Sequence, residues 1–286
     1  MADVTVDLTL PAWLTAEQRT MLMDLAQRND EAHGDDLLGI LLSGSAGRDY
    51  ATERSDLDVV VVLTDDAAAS RSTVHSPDVD EAVDSWSELL EVPPFGSEGW
   101  WFRWSYAHAP VLLDRTGGQL AAAARRQAIV TDEEADAILI DHDRLDGYIN
   151  FAYRALKNDR DGRRLEARLD ASESVPWLLD VVFSLAGRVR PYNKYLPWEL
   201  HHHPVEGWPA DELLGLLDRT IAGDPEAIRD TFGRVRRACA AHDERRGHTR
   251  TADMIDGWAG ELEVFVPAAG RAAAAGEARP PWFRTR

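Results

Sequence analysis

Ser43-Gly44-Ser45-Ala46-Gly47-Arg48-Asp49-Tyr50, then Glu53-Arg54-Ser55-Asp56-Leu57-Asp58 running into Val59 to Val62, is the stretch on which the reading of this chain turns. An apolar run, Leu37 to Leu42, leads into it, and a valine-rich run, Leu57 to Leu63, leads out. Both have the length and composition of buried strands. On a strand, residues two apart share a face, so Asp56 and Asp58 project together while Leu57 and Val59 enter the other side of the sheet. Two carboxylates so placed suit one magnesium ion, which takes hard oxygen ligands and is commonly completed by phosphate oxygens. Gly44 supplies the complement: without a Cβ, the backbone turns sharply and approaches phosphate closely, and the amides around Ser45 can cradle anionic oxygens. Arg48 and Arg54 lie in the same loop, where a guanidinium can pair with phosphate, although Arg54 can equally bridge to Glu53 or Asp49.

Outward from this stretch, Thr15 and Gln18 make a capping box for an opening helix of about 15 residues that carries Met21, Leu22 and Leu25. Asp78 to Leu90 reads as a helix stopped by Pro93 and Pro94, and Trp100 to Ser105 and Pro110 to Leu113 read as strands. After Gly117 and Gly118 the periodicity becomes helical, through Thr131 to Asn158, Asp161 to Gly187, Lys194 to His203, Asp211 to Ile221, Pro225 to Ala241 and Thr251 to Phe265. The expectation is an α+β chain: a small mixed sheet with flanking helices over 1–117, an all-helical domain over 118–266, and a frayed tail over 267–286.

The bulk composition narrows the function classes. With 44% hydrophobic residues in 286, the chain can fill real cores. The single cysteine, Cys239, excludes an internal disulfide, a multi-cysteine zinc cluster and a redox pair, which fits a reducing cytoplasm. No stretch reaches the roughly 18 apolar residues of a membrane span. Thirty-one basic against fifty acidic side chains give a formal charge of −19, which repels nucleic acid and attracts small cations.

Strand, Gly-Ser, a loop of ten to thirteen residues, and Asp-x-Asp opening an apolar strand together resemble the signature of the DNA polymerase β-type nucleotidyltransferase superfamily. The resemblance implies that Gly44 and Ser45 hold a nucleoside triphosphate, with Arg48, Arg54 and Ser55 beside it, and that Asp56 and Asp58 hold Mg2+. It also implies a third acid on a neighbouring strand, which assists the metal or takes a proton from the acceptor hydroxyl. Trp101, Arg103 and Ser105 offer no carboxylate there, so the candidates are Glu98, just before that segment, and Asp114, at the end of the next strand, with Asp114 preferred.

In the helical region, Gly187-Arg188-Val189-Arg190-Pro191 followed by Tyr192-Asn193-Lys194 is similar to the arrangement in aminoglycoside adenylyltransferases of the streptomycin and spectinomycin type. That similarity implies Lys194 as a point charge on the β or γ phosphate, with Arg188 or Arg190 as secondary candidates. The tryptophans, among them Trp100, Trp101, Trp104, Trp198 and Trp208, are core residues or aromatic walls. His201, His202 and His203 are adjacent on a helix, about 100° apart, and do not share a metal.

The function implied is transfer of a nucleoside monophosphate, AMP from ATP, to a hydroxyl of a small molecule, an aminoglycoside-like antibiotic included, with release of pyrophosphate. The alternatives are a degenerate nucleotide-binding sensor or antitoxin-like module, and a toxin-type enzyme that modifies protein or tRNA.

Overall fold

The computed structural model of the chain describes residues 6–266. The expected tail, 267–286, lies outside the described residues. The protein has an α+β architecture, and the chain divides into two compact units, Met1–Ile129 and Val130–Arg286.

The first unit is built on a five-stranded mixed sheet. Its strands are β1 (Leu37–Leu42), β2 (Leu57–Leu63), β3 (Val74–His75), β4 (Val79–Ser85) and β5 (Val111–Asp114). They lie in the order β3-β4-β2-β1-β5, with β2 and β4 parallel and every other neighbouring pair antiparallel. Alternation divides β2 between two cores. Leu57, Val59, Val61 and Leu63 face helix α1 (Ala16–His33), meeting Leu22 and Leu25. Val60 and Val62 face the other way, towards Leu89 of α3 (Trp86–Leu90) and Leu120 and Ala123 of α4 (Gln119–Gln127). A short α2 (Asp65–Ala68) follows β2. At roughly 1.5–3 kcal/mol for each fully buried aliphatic side chain, these two layers fix the sheet and therefore the register of everything at its ends.

The opening helix forms as expected: the Thr15 side chain accepts from Gln18 N (3.2 Å), and the Gln18 side chain accepts from Thr15 N (3.0 Å). Two other expectations are corrected. Asp78 to Leu90 is not one helix but strand β4 followed by α3, and the break falls at Ser85, whose hydroxyl caps Glu88 N while Glu88 caps Ser85 N. The strand half has period two. Val79 and Val83 pack in the α1 core, and Glu81 between them is buried on that face, where Arg28 (2.6 Å) and Asn29 (3.2 Å) partner it. Trp100 to Ser105 is not a strand: Glu98–Tyr106 is a 3-10 helix, with Trp100 and Trp104 buried and Trp101 and Phe102 exposed. Helix α4 packs on the sheet, so the compact unit extends past the boundary expected after residue 117.

The second unit is helical. It comprises α5 (Asp132–Asp136), a π turn (Ala137–Asp141), α6 (Arg144–Arg160), α7 (Arg164–Leu185), α8 (Leu196–His202), α9 (Ala210–Ile221), α10 (Pro225–Arg246), α11 (Arg250–Asp256) and a terminal 3-10 helix (Ala259–Phe265). Its core joins Tyr148 and Ile149 of α6, Leu178, Val182 and Phe183 of α7, Leu213 and Leu217 of α9 and Val235 of α10. Among the described residues, no helix is long and apolar enough to cross a membrane.

Candidate active site at the Gly44 turn

Strand β1 ends at Leu42, and the chain then tightens through a short 3-10 turn, Ala46–Arg48. Gly47 N donates to Ser43 O (2.9 Å), Tyr50 N to Ser45 O (2.9 Å), and Ser43 N to Asp58 O (2.7 Å), which keeps the turn against the start of β2. Two glycines make this possible. Gly44 has φ +55°, and a Cβ there would stand 1.7 Å from Asp58 Oδ2 and 2.5 Å from its Cγ, so the carboxylate lies directly on the glycine backbone. A Cβ on Gly47 would stand 2.3 Å from Leu42 O. Only glycine satisfies both the left-handed φ and the close approach at position 44.

Asp58 opens β2, Asp56 lies two residues before it, and both are partly exposed. Among the described residues, no hydrogen bond or ion pair engages the Asp56 carboxylate. The parallel neighbour β4 aligns Asp80 with Asp58, Ala82 with Val60 and Asp84 with Val62. Partners in a ladder share a face, with strands about 4.8 Å apart, so Asp80 stands beside Asp58 on the same side of the sheet. Its carboxylate pairs with His75 Nδ1 across β3. Asp84 shares that face four residues further on, roughly 13 Å along the strand. Burial raises its carboxyl above the ordinary carboxylate value, against the hydrogen bond that Tyr106 Oη donates to it.

Asp114, the expected third acid, lies further from the Gly44 turn than Asp80 does. Asp114 ends β5, which runs antiparallel to β1 and aligns Asp114 with Gly39, whereas Leu42 N bonds to Pro110 O at the other end. Asp114 is therefore about three residues, or roughly 10 Å, down the sheet from the Gly44 turn. Its carboxylate accepts from Thr116 N (2.8 Å) and Thr116 Oγ1 (2.6 Å), ahead of α4. Burial works to raise that carboxyl, but these bonds, with those from the Gly118 and Ala121 amides, outweigh it and hold it below the ordinary value. Glu98 is exposed at the start of its 3-10 helix. Asp80 lies in the segment whose sequence reads as a helix. The signal that finds it is the period-two pattern of Val79, Glu81 and Val83, which puts Asp80 on the face opposite the α1 core.

Arg48 lies in the same turn. It is buried, and it donates to Gly44 O (2.8 Å), Trp104 O (3.2 Å), Ser105 O (3.1 Å) and Ala107 O (2.6 Å), with its guanidinium carbon 4.1 Å from the centre of the Trp104 ring. Ser43 Oγ donates to Ser105 O as well (2.8 Å). The guanidinium thus ties the glycine turn to the end of the 3-10 helix. Ser45 is buried in the turn. Arg54 is exposed in the loop, and Ser55 Oγ accepts from Thr52 N (2.9 Å), which shapes the approach to Asp56.

Lys194 belongs to the second unit, exposed in the 3-10 turn Asn193–Tyr195, with Nζ 5.0 Å from the Tyr195 ring centre. Arg188 donates to His203 O (2.7 Å) and pairs with the buried Glu199, and burial lowers its pKa. Arg190 donates to Pro176 O, Asp180 and Asn193. Of the three consecutive histidines, His201 pairs with Asp211, which raises its pKa, while the rings of His202 and His203 both lie against Trp198.

The second unit holds a polar cluster that the sequence did not announce. Asp136 accepts from His242 Nε2 (2.8 Å), His248 Nε2 (3.2 Å) and Arg246 Nε (3.1 Å), and His248 Nδ1 faces Asp243 (3.0 Å). Asp136, His242 and His248 are close enough to share a metal ion. Two guanidiniums argue for a charge network instead: Arg246 lies on the carboxylate, and Arg245 lies 3.4 Å from His242 Nδ1, the nitrogen opposite the one that meets Asp136. A cation brought to Asp136 would have to displace Arg246.

No protein-family model matches the chain, and no similar curated protein is found. Among solved structures the chain is similar to a nucleotidyltransferase-like protein from Exiguobacterium sibiricum 255-15, at 13% sequence identity and a TM-score of 0.35, covering 79% of this chain and 76% of that one.

Proposed function

We propose that the chain is a nucleotidyltransferase that moves a nucleoside monophosphate, AMP from ATP, to a hydroxyl of a small cationic molecule. The observation that carries this reading is the Asp58 carboxylate lying on the Gly44 backbone, with Asp80 beside it on β4 and the unpartnered Asp56 two residues before it.

Asp56 and Asp58 are hard carboxylates of the kind magnesium takes, and Asp80 stands beside Asp58 on β4. Held by Asp56 and Asp58, a magnesium ion would supply neutralisation of charge on the triphosphate. The chain's own groups do the rest. The amides of the Gly44 turn hold phosphate oxygens, and the sheet fixes the carboxylates before substrate arrives. The acceptor hydroxyl oxygen forms a bond to the α-phosphorus, the bond from that phosphorus to the bridging oxygen breaks, and pyrophosphate leaves. The hydroxyl proton passes to Asp80, which we assign as general base.

The register of Asp80 beside Asp58 also favours an enzyme over a binding-only sensor, which would not need a third acid. The formal charge of −19 favours a cationic acceptor and disfavours tRNA. Calorimetric titration with MgATP, followed by a pyrophosphate-release screen over aminoglycosides and other hydroxylated amines, tests the reading. Saturable ATP binding that is lost in Asp56→Ala and Asp58→Ala, with release stimulated by an amine-bearing acceptor, is expected. Absence of triphosphate binding overturns it.

A further inference from the structure

The helical unit contains a groove of about 650 Å³ between one face of α10, the C-terminal end of α7 and the segment Pro204–Trp208. Arg188, Arg234, Arg237 and Arg245 line it, against Glu206 as its one carboxylate, in a chain whose formal charge is −19. Two of these cations are already committed. Arg188 pairs with Glu199, and Arg234 donates to Glu212 (2.8 Å) and Asp230 (3.3 Å). The other two are not. Among the described residues no carboxylate pairs with Arg237, and the contact of Arg245 is to a ring nitrogen, His242 Nδ1, at 3.4 Å. Both are exposed.

Their spacing is specific. Arg237, Ala241 and Arg245 recur every four residues and so lie along one face of α10, with the two arginines about 12 Å apart along the axis. Between them the floor is apolar and low, made by Ala238 and Ala241 against Val182 and Leu185. A compact anion meets one guanidinium at a time. An elongated molecule with an anionic group at each end meets both, in the fork geometry that guanidinium offers to carboxylate or phosphate, while its middle covers the alanines.

We propose that this groove binds a small organic dianion whose two charged ends flank an apolar middle, a site separate from the Gly44 turn and independent of the reading given for it. The test uses the full chain and calorimetric titration at low salt with suberate, hexane-1,6-bisphosphate, octanoate and inorganic phosphate. Saturable binding of suberate or the bisphosphate, at least about tenfold tighter than octanoate and phosphate, is expected, and the preference between the two-ended probes identifies the end group. Arg237→Gln and Arg245→Gln should each weaken that binding about tenfold, and Ala241→Leu should abolish it by raising the floor without changing charge, with melting temperatures kept. No saturation by either two-ended probe, or equal affinity for suberate and octanoate, overturns the proposal, as does binding that Ala241→Leu leaves intact.

Discussion

Gly44 and Asp58 compete for one volume: the Cβ that any other residue would carry at position 44 falls 1.7 Å from Asp58 Oδ2. The glycine is thus required twice, by its φ of +55° and by the carboxylate beside it. Gly44→Ala should cost roughly 1–2 kcal/mol of stability from the left-handed backbone alone. It should also push the Asp58 carboxylate off the turn and lower turnover on the order of 10²-fold or more. Urea denaturation and pyrophosphate release read the two effects separately. Wild-type turnover in this variant would sink the site.

Asp80 and Asp114 make opposite predictions. Asp80→Asn keeps the shape of β4 and removes the proposed base, so turnover should fall about 10²- to 10⁴-fold while the denaturation midpoint holds. Asp114→Ala removes acceptors ahead of α4, at a cost of about 1 kcal/mol, with turnover unchanged in the folded fraction. The reverse pattern would return the third acid to β5.

Arg48 contributes to the turn by satisfying carbonyls. Arg48→Met keeps the length of the side chain but leaves Gly44 O, Trp104 O, Ser105 O and Ala107 O without that donor. At about 1 kcal/mol for each, stability should drop by roughly 3 kcal/mol or more in urea denaturation. A variant that melts normally and loses only triphosphate affinity would make the guanidinium a ligand after all.

What was legible in the sequence follows from which forces were local. Leu37 to Leu42 and Leu57 to Leu63 are apolar runs between turn residues, and the helical half repeats with period 3.6, so both formed as expected. The Gly44, Asp56 and Asp58 pattern was legible because it is continuous. Asp80 was hidden by tertiary context: Glu81 breaks the apolar alternation of β4, and only its burial against Arg28 and Asn29 makes that position compatible with the core. The contacts of Arg48 were hidden for a related reason, since a loop arginine reads as a surface cation until the carbonyls of a distant 3-10 helix surround it.

The Asp136 network predicts how the helical unit responds to acid. Burial works to raise the Asp136 carboxyl, but hydrogen bonds from His242, His248 and Arg246 and the charge of His242 outweigh it and hold it below the ordinary carboxylate value. A depressed carboxyl contributes stability that is fully present above its unfolded value of about 3.9 and is lost as pH falls through its folded value. Asp136→Ala should therefore be about 3 kcal/mol less stable than wild type at pH 7, because it leaves buried His242 without its carboxylate and Arg246 with Glu133 alone. The gap should begin to narrow below about pH 4 and shrink further as pH falls through the depressed folded value, where wild type also loses the charge. Urea midpoints of both proteins across that range test it, and a gap that stays constant into strong acid would mean that packing, not the carboxylate charge, holds α5 to α10.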